Sequence, residues 1–341
     1  MNENQIKFDK FVKDNGGIYI PESDSEVDIL LRTMLVVGEK YTSEISNQKT
    51  QLPKANIYYI NDWENINACA FVYQDEHFIG INVAAVLQLK DVFDMIFESD
   101  KIYENGFFVK DKKIIYSPLF LYFSVMFLVG HEYSHIRFGH CNLLMELYGT
   151  GISEISGDAL LYDGLFSQTL EYDADCCTIA NLTNRLLYKA NKNLDVLAED
   201  LSFCMLACYI MFKIFDNGKH TRFEDYQLED LVKSTHPRPG LRQHYLAANI
   251  STILFKNLSM SQADFVINQI VEVIKYFELT LSETVKLGNL EMGIAYTEKG
   301  SRHLNLIHNN WKYVRELLMK HSYDQLAPYE ELQIIHKLID K

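Results

Sequence analysis

Residues 114–130, IIYSPLFLYFSVMFLVG, hold no charged side chain and run straight into His131-Glu132-Tyr133-Ser134-His135. A stretch this apolar has to be buried, and whatever buries it must also accommodate two imidazoles and a carboxylate. Crossing a bilayer takes about 20 apolar residues. This run, interrupted near its start by Pro118, and the shorter 201–212 (LSFCMLACYIMF) therefore read as core helices. No stable membrane span is expected.

Residues 23–46 open with Ser23 and Glu26 at capping-box spacing and go on with apolar residues at helical intervals, which predicts a helix. The runs 56–60, 68–73 and 78–83 are β-branched or aromatic. The last two flank Gln74, Asp75, Glu76 and His77, a hairpin signal. Beyond residue 84 the periodicity is helical over 84–98, 117–140, 171–192, 198–216, 240–255, 260–288 and 305–320. The fold class expected is α+β: a small antiparallel or mixed sheet with an edge strand, a mostly helical body and a helical C-terminal region. A soft boundary near 255 separates 1–255, with helices and sheet over 1–83 and active-site helices over 84–255, from a helical extension, 256–341.

The charge excludes some functions. With 32 Lys and Arg against 46 Asp and Glu, the net charge is −14, the wrong sign for nucleic acid or an anionic membrane surface. The N-terminus, MNENQIKFDK, is charged where a signal peptide is apolar, so the chain is expected to be unexported and cytoplasmic. Its six cysteines include no C-x-x-C pair and read as small buried hydrophobes.

His131 and His135, four residues apart, sit about one turn apart on one helix face and can share a tetrahedral zinc. Glu132, about 100° round the helix, can stand beside the attacking water and take its proton. The metzincin pattern fails, because its third histidine and its glycine would fall at Cys141 and Phe138. On a continuing helix His140 points about 140° away from the ligand face, so it reads as a C-terminal histidine meeting the last carbonyls. In Glu171-Tyr172-Asp173-Ala174-Asp175 the two outer carboxylates share a face, which makes Glu171 the candidate oxygen ligand. Asp175 is then the candidate partner for the other ring nitrogen of a ligand histidine. Thr235-His236-Pro237 and Arg242 supply an imidazole and a guanidinium that could stabilise an oxyanion. The C-terminal region carries no such pattern: His303, His308, His321 and His336 are scattered, and Trp311 with Val314 and Leu318 reads as core.

These blocks, with Asn67-Ala68-Cys69-Ala70 beside them, resemble the H-E-x-x-H, E-x-x-A-D, T-H-P-x-x-x-x-R and N-A-F-A segments of the gluzincin peptidases typified by HtpX and the CAAX prenyl proteases. The membrane members of that group carry spanning helices, which are missing here. The chain is also similar to the soluble Lit-type phage-exclusion peptidases, which have H-E-I-S-H, a nearby following histidine and an E-x-x-A-D block. The resemblance implies a zincin-like fold and a zinc-dependent endopeptidase with zinc on His131, His135 and Glu171. Catalysis would fall to Glu132, His236 and Arg242, and a peptide would lie along Asn67, Ala68, Cys69 and Ala70. It further implies a bacterial protease that cuts one intracellular protein, as Lit-type enzymes cut a translation elongation factor. A zinc-binding sensor or interaction protein with weak or gated hydrolysis is the other reading, with the 256–341 region as its partner-binding or regulatory part.

Overall fold

Two residues in left-handed conformation, Gln74 (φ 51°) and Asp75 (φ 62°), close a hairpin whose last pair is Tyr73 and Glu76. Positive φ at both central residues matches the twist of the flanking strands, so the expected hairpin forms with a two-residue loop. The computed structural model describes residues 1–148, 164–216, 225–284 and 293–329. The end of the expected 260–288 helix (285–288) and residues 330–341 with His336 lie outside the described residues.

The helices and strands are, in chain order, α1 (Glu3–Phe11), β1 (Ile18–Tyr19), α2 (Glu26–Ser46), β2 (Ala55–Ile60), β3 (Ala68–Tyr73), β4 (Glu76–Asn82), α3 (Val83–Glu98), α4 (Lys113–Arg137) and α5 (His140–Tyr148). There follow α6 (Gly164–Ala190), α7 (Leu194–Phe215), α8 (Leu228–Lys233), α9 (Pro239–Asn257), α10 (Met260–Thr284) and α11 (Glu298–Leu318). The chain is mostly helical with one small mixed sheet, an α+β arrangement. It divides into two compact units, one of residues 1–89, 125–162 and 313–326, the other of residues 90–124, 163–312 and 327–341.

The first unit holds the sheet, in the order β1-β2-β4-β3, with β2 parallel to β4 and the other pairs antiparallel. On one face α1 lays Phe8 and Val12 into a buried cluster with Ile60, Cys69, Phe71 and Phe78, and Phe11 stacks on Phe71 with centroids 3.9 Å apart. Burying each such ring contributes about 2–3 kcal/mol. Alternation turns Tyr59 to the other face, where its hydroxyl donates to the Leu31 carbonyl of α2 at 2.9 Å. The cap of α2 is Ser25, whose side chain accepts from Asp28 N at 3.1 Å, two residues later than the expected Ser23 box. Ser23 instead caps from outside, its N–H donating to Asp28 Oδ2 at 2.7 Å.

A segment from the end of the described chain ties down the C-terminus of α4. Tyr323 N–H donates to the Arg137 carbonyl at 3.0 Å, and the Arg137 guanidinium donates to Asp324, from Nε at 2.8 Å. The Tyr323 hydroxyl meets Asn142 of α5 at 3.0 Å and His77 of β4 at 3.2 Å.

The second unit is helical around α7, which is buried throughout Leu201–Ile214. A helix apolar all round is a core helix, as expected for 201–212. Phe93, Phe97, Phe108, Tyr116, Phe120 and Phe203 form an aromatic cluster. The helical stretch Lys110–Arg137 is long and apolar enough to cross a membrane by length and composition, but 72% of its most apolar window is buried in protein. The described residues include all six cysteines; no disulfide joins them, and five are buried.

Candidate metal centre

Gly139 sets where α4 ends. Its φ of +75° ends α4 in the left-handed conformation that glycine adopts without a Cβ penalty, and its N–H closes the turn on the Ile136 carbonyl at 3.1 Å. A Cβ there would lie 2.4 Å from the His321 carbonyl carbon, so no other residue fits. The chain then starts a new helix, α5, at His140 rather than continuing the old one.

His131, Glu132 and His135 lie in the last two turns of α4, all buried at 5% exposure or less. Glu171, on α6, is buried at 4%. One ligand atom from each of His131, His135 and Glu171 lies within 4.8 Å of the other two. The two Nε2 atoms are 3.0 Å apart. A tetrahedral ion with bonds of about 2.0–2.1 Å needs that edge to be about 3.3 Å, a few tenths wider. Two imidazoles and one carboxylate are a donor set suited to divalent ions such as zinc, and three protein ligands leave a coordination position for a substrate or water. The group fits a metal ion.

The break at Gly139 re-aims His140. It is fully buried, and its Nδ1 lies 2.9 Å from His135 Nδ1. The expectation that it meets the last carbonyls of α4 is corrected: it opens the next helix and faces a candidate ligand. With a metal on its Nε2, His135 would carry its proton on Nδ1 and donate it to His140 Nδ1, which would fix both tautomers. Replacing such a partner typically lowers metal affinity about 10–100-fold. His140→Phe should do so in a competition titration against a chelating dye, and unchanged affinity would remove His140 from this role.

In the second unit α6 faces α9. Arg242 donates to Asp175 from Nε at 2.8 Å and Nη2 at 2.7 Å, and the Tyr245 hydroxyl donates to the same carboxylate at 2.5 Å. Arg242 Nη2 also lies 3.8 Å from Glu171 Oε2, and its guanidinium stacks over Phe212 at 4.0 Å. Burial works against the Arg242 charge, but the charge and hydrogen bond of Asp175, together with Tyr245 and Glu171, more than offset it and hold the group protonated. Burial first, and then the Asp175 charge, push the Tyr245 hydroxyl up, so it remains a donor. His236 is a third exposed, with Nε2 3.4 Å from Glu171 Oε2 and Nδ1 2.9 Å from Thr235 Oγ1.

Tyr245 was not singled out from the sequence. Its signal was the three-residue spacing from Arg242, which puts both on one face of α9. Of the expected substrate residues, Ala68, Cys69 and Ala70 lie on the outer strand β3 and are buried at 2% or less, while Asn67 precedes the strand and accepts from Asn82 N at 2.9 Å.

Comparison with protein-family models, curated proteins and solved structures finds no match to the chain. The structure itself defines a buried His/His/Glu group that could hold a metal ion.

Proposed function

We propose that the chain is a zinc-dependent endopeptidase. The observation that carries this reading is the buried His131–His135–Glu171 group with Glu132 beside its first histidine on α4. Zinc held there would polarise a peptide carbonyl and bring the pKa of a water to about 7. Glu132 takes the proton of the attacking water and passes it to the leaving amine. His236, which is partly exposed, donates to the developing oxyanion, whereas Arg242, committed to Asp175, holds the carboxylate side of the site in place. The resemblance to Lit-type peptidases supports a single intracellular protein substrate and a part in phage defence.

One observation favours a gated form of this activity. Ala68–Ala70 are buried, so a substrate strand can pair with β3 only after whatever covers them moves aside. Metal analysis of the purified protein is the first test. About one equivalent of zinc and chelator-sensitive cleavage are expected, and zinc below about a tenth of an equivalent after metal-replete expression sinks the reading. The appearance of one new protein N-terminus in cells expressing the wild type, but not Glu132→Gln, would identify the substrate.

A further inference from the structure

The C-terminal helix α11 reaches the site's own support through a buried polar chain within the second unit. Gln168, on α6 one turn before Glu171, and His303, on α11, are both fully buried. The Gln168 amide nitrogen donates to the Leu231 carbonyl at 2.8 Å and the Ser234 carbonyl at 2.6 Å. Carbonyls only accept, so this fixes the amide orientation and turns Oε1 toward His303 Nε2, 2.6 Å away. His303 Nε2 must therefore carry the proton. Burial takes the pKa of this imidazole down to about 4, so it is neutral at pH 7 and has that one N–H to give.

Two more ties lie on the same stripe of α11, where residues 299, 303 and 310 recur at near-whole turns. Lys299 Nζ donates to the Tyr226 carbonyl at 2.6 Å, and Asn310 Nδ2 donates to Thr169 Oγ1 at 2.9 Å. One turn before Gln168 on the same helix, Gly164 brings the start of α6 so close that a Cβ would sit 2.3 Å from the Val232 carbonyl oxygen. Residues 231–234 are thus held against α6 at Gly164 and at Gln168, whose amide His303 of α11 fixes, and the next two residues are Thr235 and His236.

We propose that His303 is a positioning residue: through Gln168 it sets the 231–236 segment, and hence His236, against the Glu171 carboxylate. The C-terminal helix is then part of the site's scaffold. This rests on the peptidase reading only for the work given to His236. The segment's rigidity is measurable in a protein that cuts nothing.

The test is amide hydrogen exchange on the full chain, comparing wild type, His303→Phe, His303→Gln and Gln168→Glu. His303→Phe keeps a ring but leaves Gln168 Oε1 without its donor, and exchange over 231–236 should rise by about tenfold or more while α7 stays protected. Glutamine can place its Nε2 where the imidazole Nε2 stands, so His303→Gln should restore slow exchange. Gln168→Glu retains the acceptor facing His303 and removes both donors facing residues 231–234, so it should loosen 231–236 as well, and if His303→Phe fails to fold, His303→Leu, which likewise lacks the donor, takes its place. Wild-type exchange in a folded His303→Phe protein, equal loosening by Phe and Gln, or wild-type exchange in Gln168→Glu each overturns the proposal. Failure to find zinc or cleavage would count against the peptidase reading and leave these exchange rates as the test of the scaffold.

Discussion

Glu132→Gln should bind zinc as the wild type does and lose about 10²–10⁴-fold in cleavage rate, the usual loss when a general base is removed. Glutamine has nearly the same shape, so a buried position at 5% exposure can accept it without repacking, yet it takes up no proton. Cys141, the nearest thiol in sequence, offers no substitute. Burial first, and then the Glu132 charge, push its thiol far above neutrality, so no thiolate forms there at pH 7. Zinc content and turnover have to be read on the same samples. Metal at wild-type level with turnover intact removes Glu132 from the mechanism, whereas loss of both would say that the variant has disturbed the site.

Arg242→Met should be the most destabilising of these changes, at about 3–5 kcal/mol, because it leaves the carboxylate of Asp175 buried without its cation. Asp175 is fully buried, and its oxygens take two guanidinium donors and the Tyr245 hydroxyl. Removing the guanidinium leaves only the hydroxyl among these donors. The methionine would still cover Phe212, so the loss reports charge more than packing. In urea unfolding the midpoint should fall with the slope unchanged. The double variant Asp175→Asn, Arg242→Met should recover much of the loss, since neutralising both partners of a buried pair is far cheaper than orphaning one. A single-variant loss below about 1 kcal/mol would mean that water reaches Asp175 when the arginine is gone.

The long helices and the three metal-ligand candidates were legible in the sequence because they rest on helical periodicity and on the four-residue spacings of His131 and His135 and of Glu171 and Asp175, and the hairpin because the runs 68–73 and 78–83 flank a short polar stretch. Two kinds of feature were not. Helix α1 is short and charged, and its three apolar anchors, Phe8, Phe11 and Val12, acquire meaning only against the sheet they cover. His140 was placed by extending α4 through Gly139, which turned its ring away. The glycine after Arg137-Phe138 is itself a stop signal, and reading it as one would have freed His140 from the helical phase. The links from Asp175 to Arg242 and from Gln168 to His303 span 67 and 135 residues, and no period carries across such separations. The cap of α2 moved from Ser23 to Ser25 because Asp28, not Glu26, is the acidic residue that the N-terminal turn uses.

The tie between Arg137 and Asp324 closes a loop of 187 residues. Chain ends so far apart meet late, since bringing them together has an entropy cost that only the finished contacts offset. On the ribosome, the helix with both histidines emerges long before the segment that fastens its last turn. A nascent chain halted anywhere between them holds the two histidines of α4 without that clasp, and a cell making this protein is shielded from its fully fastened form until residue 324 has left the exit tunnel.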